Sequence, residues 1–380
     1  MTRILLSALS ARRGGGQTYL RRLVSSFPAG QDHELVVYSA HPIPGLVTDG
    51  DVRWEQAPAW TERPLLRFLF GWVYFRWLWP RRRDFDAAYF AGGSFDMALP
   101  PGTAKIVAFQ NMLPFDLAAR RRYHWGWDRF RHWLLRYVQG WAFRQADLVV
   151  FISEYARDTI DRLVPHRRGR SVVIPHGAQN TETPLDPAIA ASLPAQFVLY
   201  LSILLPYKAQ VELVEAWARL RDAGLRPEKL VLAGPAAGPY ADEVRAAIAR
   251  CGLAGEVVLL GNVPHDQITD LARRAVLNVF LSSCENCPNI LLELMKAEVP
   301  VLASDYQPMP ELGGPGLVYV DPYDVPAVAE AIAGLLDDPA RRAALAAAGA
   351  ERGQLYDWQS AGKRTWQAIL ACAQRGRPRR

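Results

Sequence analysis

Cysteine is scarce in this chain, at 4 of its 380 residues. Cys284 and Cys287 form a C-x-x-C pair, but there is no second pair of similar spacing to complete a zinc site. A thioredoxin-like motif would follow the first strand of a small fold, which a chain of this length is not. We therefore predict four unpaired thiols, buried or half-buried, in a reducing compartment.

Long apolar runs are also missing. No run reaches the ~18 residues that a membrane-spanning helix needs. The first residues, MTRILLSALS, lack the apolar stretch of a signal peptide and predict a first β-strand instead. We expect a cytoplasmic protein, with peripheral attachment to the inner face of the cell membrane left open.

Acidic residues are outnumbered in the first half of the chain. Residues 1–180 contain 25 Lys and Arg against 15 Asp and Glu, a net charge of +10, whereas the rest contains 19 and 23, a net charge of −4. A basic half indicates an acidic partner, such as a phosphorylated acceptor or an anionic membrane surface. No RNA- or DNA-binding signature is present, so we expect no nucleic-acid partner.

Strand and helix patterns alternate along the whole chain, which predicts an α/β fold with parallel sheets. The length favours two domains, and the polar, proline-containing stretch 178–195 predicts a linker. We place an N-terminal domain at 1–178 and a C-terminal domain at 179–357, two doubly wound sheets facing a ligand cleft. Long helices are predicted at 64–79, 118–145 and 358–376.

Two carboxylates flank one predicted helix start in the stretch SSCENCPNILLELMKAEVPVLASD. A buried strand is predicted just before it, and Pro288 suits the first helical turn because no N–H is lost there. Asn286 or Cys287 is then the predicted cap. This places Glu285 in the loop and Glu293 in the second turn of the helix.

The start of this helix is a candidate anion site. The free N–H groups of Asn289, Ile290 and Leu291 can hold a phosphate. A carboxylate on either side can accept hydrogen bonds from sugar hydroxyls, so the pattern fits a sugar nucleotide. The alternative is an ordinary core helix with Glu293 on its solvent face, and a glutamate pair alone favours that interpretation.

Three weaker signals lie at predicted strand ends. Gly14, Gly15 and Gly16 in SARRGGGQTYL precede a helix, where backbone N–H groups can approach an anion closely. Lys208 in FVLYLSILLPYKAQ stands just past a strand and is a point charge suited to a diphosphate. Gly234 ends another strand. A flexible turn and an ordinary surface lysine are the alternatives.

Seven short segments of the chain occur in a fixed order. They are the glycine-rich loop, IPHG, the strand and Lys208, LAGP, LGNVPHDQI, the paired glutamates and PMPEL. This order resembles glycosyltransferase family 4, whose members are retaining enzymes of the two-Rossmann-domain GT-B architecture. The resemblance covers nearly the whole chain and is densest from 171 to 320. It implies a GT-B fold whose last helix, 358–376, crosses back to the first domain.

The resemblance also implies roles for individual residues. Lys208 would bind the donor diphosphate, Glu285 would contact the donor sugar as a catalytic residue, and Glu293 would bind the ribose hydroxyls. The family needs no metal, so none is expected here, and the nucleoside diphosphate sugar is a substrate rather than a cofactor. The rest of the expected donor site consists of Gly15, Gly16, Gly234, Asn262, Val263, Pro264, Asn289, Ile290 and Leu291.

The chain departs from the family pattern at two positions. The family often has an arginine five residues before the lysine, where this chain has Ile203. It also often has a histidine in the first domain, where the segment IVAFQNMLPF carries Gln110. We take Gln110 as a catalytic candidate that can hydrogen-bond a sugar hydroxyl but cannot titrate. The intact glutamate pair and Lys208 favour an active subgroup.

Two stretches, 64–83 and 120–147, mix aromatic residues with arginines. An amphipathic basic helix with Trp and Phe can lie in a membrane interface. Leu and Trp at helical spacing also pack on sheets, so both interpretations stay open. Membrane attachment would suit a lipid-linked acceptor.

We therefore predict a retaining, metal-independent glycosyltransferase that moves a sugar from a nucleotide sugar to a glycan or lipid-linked acceptor, in cell-surface polysaccharide or glycolipid synthesis. One alternative is a nucleotide-sugar epimerase of the same fold. Another is a catalytically impaired, membrane-associated homologue. The D-x-D sequence from Asp84 to Asp86 precedes a strand rather than following one, so we interpret it as strand-edge charge.

Overall fold

The computed structural model describes the chain except for residues 11–14, 31, 44, 47, 49, 64–65, 68–73, 75–84, 100, 124–125, 168, 180, 225–227 and 377–380. The chain divides into two compact units. The first contains Met1–Phe115, Phe130–Gly177 and Trp358–Arg380, and the second contains Asp116–Arg129 and Ala178–Asp357.

The first unit is built on a seven-stranded parallel sheet in the order β3-β2-β1-β4-β5-β6-β7. Apolar, β-branched runs with both faces covered form its central strands, as is usual in parallel sheets. The order reverses between β1 and β4, which is the switch point of a doubly wound sheet. The strands are β1 (Thr2–Ser7), β2 (His33–Ser39), β3 (Val52–Gln56), β4 (Ala87–Phe90), β5 (Ala104–Phe109), β6 (Leu148–Phe151) and β7 (Arg170–Val173).

Helices cover this sheet, and one of them comes from the far end of the sequence. That helix, residues Trp358–Gly376, packs in the first unit. Its Trp366 is fully buried, and the indole Nε1 donates to the carbonyl oxygen of Leu23 at 2.7 Å. The described helices that lie wholly or mostly in this unit are α1 (Gly15–Ser25), α3 (Trp127–Gln145), α4 (Glu154–Leu163) and α13 (Trp358–Gly376).

The second unit repeats the same topology in a six-stranded parallel sheet ordered β10-β9-β8-β11-β12-β13. The switch point here lies between β8 and β11. The strands are β8 (Phe197–Leu201), β9 (Lys229–Ala233), β10 (Val257–Gly261), β11 (Leu277–Phe280), β12 (Val301–Ser304) and β13 (Val318–Val320). The predicted α/β class with parallel sheets is confirmed.

The described helices of the second unit lie before, between and after these strands in the sequence. They are α2 (Leu117–Arg121), α5 (Pro187–Ser192), α6 (Gln210–Asp222), α7 (Pro239–Arg250), α8 (Ile268–Arg273), α9 (Asn289–Lys296), α10 (Met309–Gly313), α11 (Val325–Asp337) and α12 (Pro339–Gln354). Short 3-10 turns occur at Pro206–Lys208 and His265–Gln267.

Three expectations need correction. The helix predicted at 118–145 is two helices, α2 and α3, with Gly126 between them, and a glycine weakens a helix interior. Residues 116–129, expected in the first domain, belong to the second unit. The linker 178–195 contains the helix α5, because Asp186 caps it by accepting from the N–H of Ala188 at 2.8 Å.

Two further observations concern the membrane and the thiols. Most of the helix expected at 64–79 lies outside the described residues. Within the ranges that are described, no helix combines the length and hydropathy of a membrane span. All four cysteines are thiols that take part in no disulfide, and Cys284 and Cys287 are buried, as predicted.

Candidate active site

The switch point of the second sheet brings together two loops that were separate in the sequence. After β8 the chain makes the 3-10 turn Pro206–Lys208, and after the neighbouring strand β11 it makes the loop 281–288 that leads into α9. Carboxyl ends of parallel strands meet at one sheet edge, and ligands of doubly wound sheets bind there.

Lys208 and Glu285 form an ion pair at this edge, between Nζ and Oε1. The same Oε1 accepts a hydrogen bond from the hydroxyl of Ser282 at 2.6 Å. Lys208 is only 7 % exposed, and its Nζ lies 5.0 Å from the ring centroid of Phe280 and 5.2 Å from that of Tyr207. The positive charge is therefore held in an aromatic, largely dry setting, where it acts more strongly than in water.

Backbone and hydroxyl contacts tie the two loops together. The N–H of Ser283 donates to the carbonyl oxygen of Tyr207 at 2.8 Å, and the hydroxyls of Ser283 and Tyr323 are 2.6 Å apart. Burial raises the pKa of the Tyr207 phenol well above its ordinary value, and the charge of Glu285 adds to the shift. Tyr207 thus stays neutral next to Lys208.

Helix α9 begins at Asn289 with Pro288 as its N-cap residue. The predicted N-cap position, at Asn286 or Cys287, is wrong, since Pro288 occupies it with extended backbone and makes no side-chain cap hydrogen bond. Asn289, Ile290 and Leu291 are the first three residues of the helix, so their N–H groups lie ahead of its i→i−4 hydrogen-bond ladder. The Leu291 side chain is fully buried, so only its backbone N–H could serve a ligand.

Glu293 is 4 % exposed, so the alternative that placed it on a solvent face is wrong. Its Oε1 lies 3.3 Å from Nε2 of His265. Its Oε2 is buried and has no hydrogen-bond partner within the described part of the chain. A buried carboxylate oxygen without a donor is costly, so a ligand hydroxyl would satisfy it.

The ends of β9 and β10 are packed closely against the end of β8. A Cβ on Gly234 would lie 2.1 Å from the carbonyl oxygen of Ser202, so only glycine fits, and its N–H donates to the carbonyl oxygen of Gly261 at 2.7 Å. In the loop that follows, Asn262 and Pro264 are exposed, whereas the side chain of Val263 is buried. Asn262 and Pro264 can contact a ligand with side chains, and Val263 only with its backbone.

The remaining candidates belong to the first unit. Gly15 and Gly16 open α1, which follows β1, and Gly14 lies outside the described residues. Gln110 directly follows β5, and its Nε2 is buried without a hydrogen-bond partner among the described residues. An unsatisfied amide at a sheet edge is suited to a hydroxyl ligand.

Two family models together match most of the chain. The model of glycosyltransferase family 4 matches residues 13–180, and that of glycosyl transferases group 1 matches residues 186–352. The chain belongs to glycosyltransferase family 4. The first match falls on the unit built around β1 to β7, and the second covers the switch point with Lys208, Glu285 and Glu293.

Relatives and solved structures agree with this assignment. A GDP-mannose-dependent alpha-(1-6)-phosphatidylinositol monomannoside mannosyltransferase of Mycobacterium tuberculosis is 29 % identical over 92 % of this glycosyltransferase and 93 % of the relative. A sucrose-phosphate synthase from Thermosynechococcus elongatus has a TM-score of 0.75 at 19 % identity, with 98 % and 99 % of the two chains covered. Anabaena HepE, solved with UDP and glucose, has a TM-score of 0.69 at 19 % identity, with 98 % and 100 % covered. The fold is GT-B.

The sequence analysis did not assign residues 116–123 to the candidate site, but the glycosyltransferase places them against the loops of the switch point. The guanidinium of Arg122 lies 3.3 Å from the ring centroid of Tyr323, and the ring of Tyr123 lies 6.4 Å from that of Tyr207. Burial raises the pKa of the Cys284 thiol well above its ordinary value, and the carboxylate of Asp116 acts in the same direction. No spacing in the sequence signals these contacts, because they join positions about 85 to 200 residues apart.

His176 and Asp86 play structural parts in the glycosyltransferase. His176 is buried with ring centroids of Tyr19 and Trp358 at 5.0 and 5.1 Å, a packing role. Asp86 accepts from the N–H of Arg3 at 2.8 Å, so this carboxylate is fixed to β1, while Asp84 lies outside the described residues. Among the residues described, no cluster of three or more acidic, His or Cys side chains could hold a metal ion.

Proposed function

We propose that this glycosyltransferase holds a nucleoside diphosphate sugar at the switch point of its second unit. From there it transfers the sugar, with retention of anomeric configuration and without a metal ion, to a hydroxyl of a glycan or lipid-linked acceptor. The observation that carries the proposal is the convergence at one sheet edge of three features: the buried Lys208–Glu285 pair, the start of α9 and the unsatisfied oxygen of Glu293.

Charge on the leaving diphosphate would be stabilised by two groups. Lys208 supplies a positive charge that is mostly shielded from water, and the first N–H groups of α9 supply oriented dipoles. Such preorganised donors act where negative charge develops in the transition state, which is the effect that lowers the barrier most. Val263, Asn262 and Pro264 would border the base, and Gly234 would let the nucleotide approach the backbone.

The two glutamates would divide the hydroxyl groups of the donor. Glu285 is held by Lys208 and Ser282 and would orient the reacting sugar. Glu293 has one oxygen near His265 and one unsatisfied, and the unsatisfied Oε2 would accept from the ribose hydroxyls. Each such charge-assisted hydrogen bond is worth about 1.5–3 kcal/mol.

The anomeric configuration is retained when the acceptor hydroxyl attacks the anomeric carbon from the same side as the leaving diphosphate. Gln110 cannot accept a proton as a base, so the departing phosphate oxygen would take the proton of the acceptor hydroxyl. Gln110 and the backbone of Gly15 and Gly16 would instead position substrate hydroxyls or phosphate by hydrogen bonding. No step in this scheme requires a metal ion or an organic cofactor.

The relatives suggest which substrates to test first. The Mycobacterium tuberculosis relative is named for GDP-mannose and a phosphatidylinositol mannoside, and we propose GDP-mannose as donor and a lipid-linked sugar as acceptor. A lipid-linked acceptor would suit an enzyme attached to the inner face of the cell membrane. The basic charge of residues 1–180 suits an acceptor with a phosphate group.

A thermal-shift screen of nucleoside diphosphate sugars, followed by NMR of the transferred linkage, tests the proposal. We expect GDP-mannose to raise the unfolding temperature more than UDP-glucose, and the product to keep the anomeric configuration of the donor. An inverted product would overturn the retaining mechanism. Donor binding without transfer to any lipid-linked or glycan acceptor would support an impaired homologue instead.

A further inference from the structure

The solvent side of α3 carries large apolar side chains instead of the polar ones usual on a surface helix. Phe130, Trp133, Leu134, Tyr137 and Trp141 recur every three or four residues, so they share one face. Each of them is between 44 % and 58 % exposed. We call these five residues the aromatic face.

The opposite side of α3 meets the core of the first unit. His132, Gln139, Ala142 and Phe143 are buried there. His132 is therefore on the inner side of the helix. For Phe130, Trp133 and Tyr137 the packing interpretation does not hold, because the sheet-facing positions are taken by other side chains.

Contacts within the aromatic face keep its rings in place. The ring centroids of Trp133 and Tyr137 are 4.9 Å apart, and those of Phe130 and Trp133 are 5.8 Å apart. At the far end, Trp141 meets the edge of the Phe95 ring at 5.6 Å. The aromatic face is thus an ordered apolar surface on a helix whose opposite side packs on the core of the first unit.

Arginines border the aromatic face. Arg131 follows Phe130 and Arg136 precedes Tyr137, so at ~100° per residue they flank the face on opposite sides. Arg144 lies one turn beyond Trp141. The helix contains four arginines and one acidic residue, Asp128. Long arginine side chains can keep their charge in water while the apolar face next to them is covered.

We propose that the aromatic face docks α3 in the interface of an anionic phospholipid membrane, with Arg131, Arg136 and Arg144 contacting lipid phosphates. Exposed Trp and Tyr side chains suit the boundary between the lipid headgroups and the acyl chains. There the apolar part of each ring contacts lipid and its polar atom contacts water. The arginines match the negative surface of anionic lipid. The excess of +10 in residues 1–180 has the same sign.

Sedimentation of the full chain with vesicles tests this docking. We expect binding to vesicles of phosphatidylcholine with phosphatidylglycerol, little binding to phosphatidylcholine alone, and release by salt because screening shortens the field. The variant Trp133→Ser/Leu134→Ser/Tyr137→Ser should lose binding about tenfold or more while keeping the wild-type unfolding temperature, since these side chains are exposed. Arg131→Ser/Arg136→Ser should weaken binding by roughly thirtyfold.

A matched control removes an exposed apolar residue elsewhere. Leu355 is 66 % exposed in the second unit, and Leu355→Ser should bind vesicles like the wild type. Equal sedimentation with neutral and anionic vesicles, or none with either, would overturn the proposal. The proposal would also be overturned if light scattering showed a dimer for the wild type and a monomer for the triple variant. The aromatic face would then be the contact surface between two copies of the chain. Vesicle binding does not require sugar transfer, so an inactive chain that binds would leave the docking surface standing.

Discussion

The two units share one strand order around their switch points, but different side chains occupy those switch points. In the second unit Lys208 and Glu285 pair across the ends of β8 and β11. In the first unit Arg67 and Asp96 occupy the corresponding place after β4, with Nη2 and Oδ1 3.6 Å apart. Each sheet therefore places one ion pair where its topology reverses.

The surroundings of the two pairs are what differ. Oδ2 of Asp96 also accepts from the hydroxyls of Ser7 at 2.9 Å and Ser10 at 3.2 Å, and Arg67 donates to the carbonyl oxygen of Leu9 at 2.9 Å. Asp96 is thus bonded on both oxygens and stabilises its own loops. The second unit leaves an oxygen of Glu293 unsatisfied next to a helix start. One topology thus supports a structural pair in one unit and a candidate donor site in the other, because the loops differ.

The strongest test of this difference is the variant Lys208→Met. We expect turnover to fall by about 10²–10³-fold, since removing one donor to developing charge has an effect of this size. Lys229, exposed at the amino end of β9, provides the control Lys229→Met, which should keep its activity. Initial rates at saturating donor measure both. A Lys208→Met enzyme with full turnover would place the diphosphate elsewhere.

Asp96→Ala should act on stability instead. Because the carboxylate is buried and bonded to two hydroxyls and Arg67, its loss should lower the free energy of unfolding by about 2–4 kcal/mol. Urea unfolding measures this. Asp158→Ala, which removes a side chain 60 % exposed in a surface pair, should change stability by less than about 0.5 kcal/mol. A stable Asp96→Ala protein with impaired transfer would instead mark Asp96 as a substrate ligand.

Glu293→Ala should weaken donor binding by roughly 1–3 kcal/mol through loss of a charge-assisted hydrogen bond. Isothermal titration of the folded variant with the donor measures it, and Glu215→Ala on the exposed face of α6 is the control. Unchanged donor affinity would remove Glu293 from the site and make the unsatisfied oxygen a feature of the fold alone.

A smaller effect is expected at Arg122, whose guanidinium lies against Tyr323 at the same edge. We expect Arg122→Ala to weaken donor binding about three- to tenfold if Arg122 is the second positive charge at the diphosphate, and its neighbour Arg121, also exposed, gives the control Arg121→Ala. Ile203 is 46 % exposed, so Ile203→Arg can be added to Arg122→Ala without burying a charge. Recovery of donor affinity in the double variant would support the placement of Arg122 at the diphosphate. Equal donor affinities of the wild type, Arg122→Ala and the double variant would contradict it.

Removal of metal ions should have no effect. The proposed site has a lysine and helix N–H groups at the diphosphate, so transfer should continue in EDTA at the untreated rate. Activity lost in EDTA and restored by manganese would show that a cation takes part, and Asp84 and Asp86 would be the first residues to substitute.

Sequence patterns predicted most of the repeated strand and helix order, because buried parallel strands are continuous apolar runs and Pro or Asp residues mark helix starts such as α9 and α11. They also pointed to Lys208, Glu285 and Glu293. The pairing of Lys208 with Glu285, the position of Arg122 and the burial of Glu293 were not predictable, since each depends on contacts between distant parts of the chain. The face of α3 that meets solvent was equally hidden, because both of its sides carry aromatic residues.

The helix α13 has a consequence for the synthesis of the chain. The first unit contains residues from both ends of the sequence, with the 180 residues Ala178–Asp357 of the second unit between them. At a translation rate of ~5–20 residues per second, the strands β1 to β7 wait roughly 10–40 s on the ribosome before Trp366, Ile369 and Ala373 can close their core. The unit that is translated first is thus completed last. During that interval its uncovered apolar surface is a substrate for chaperones.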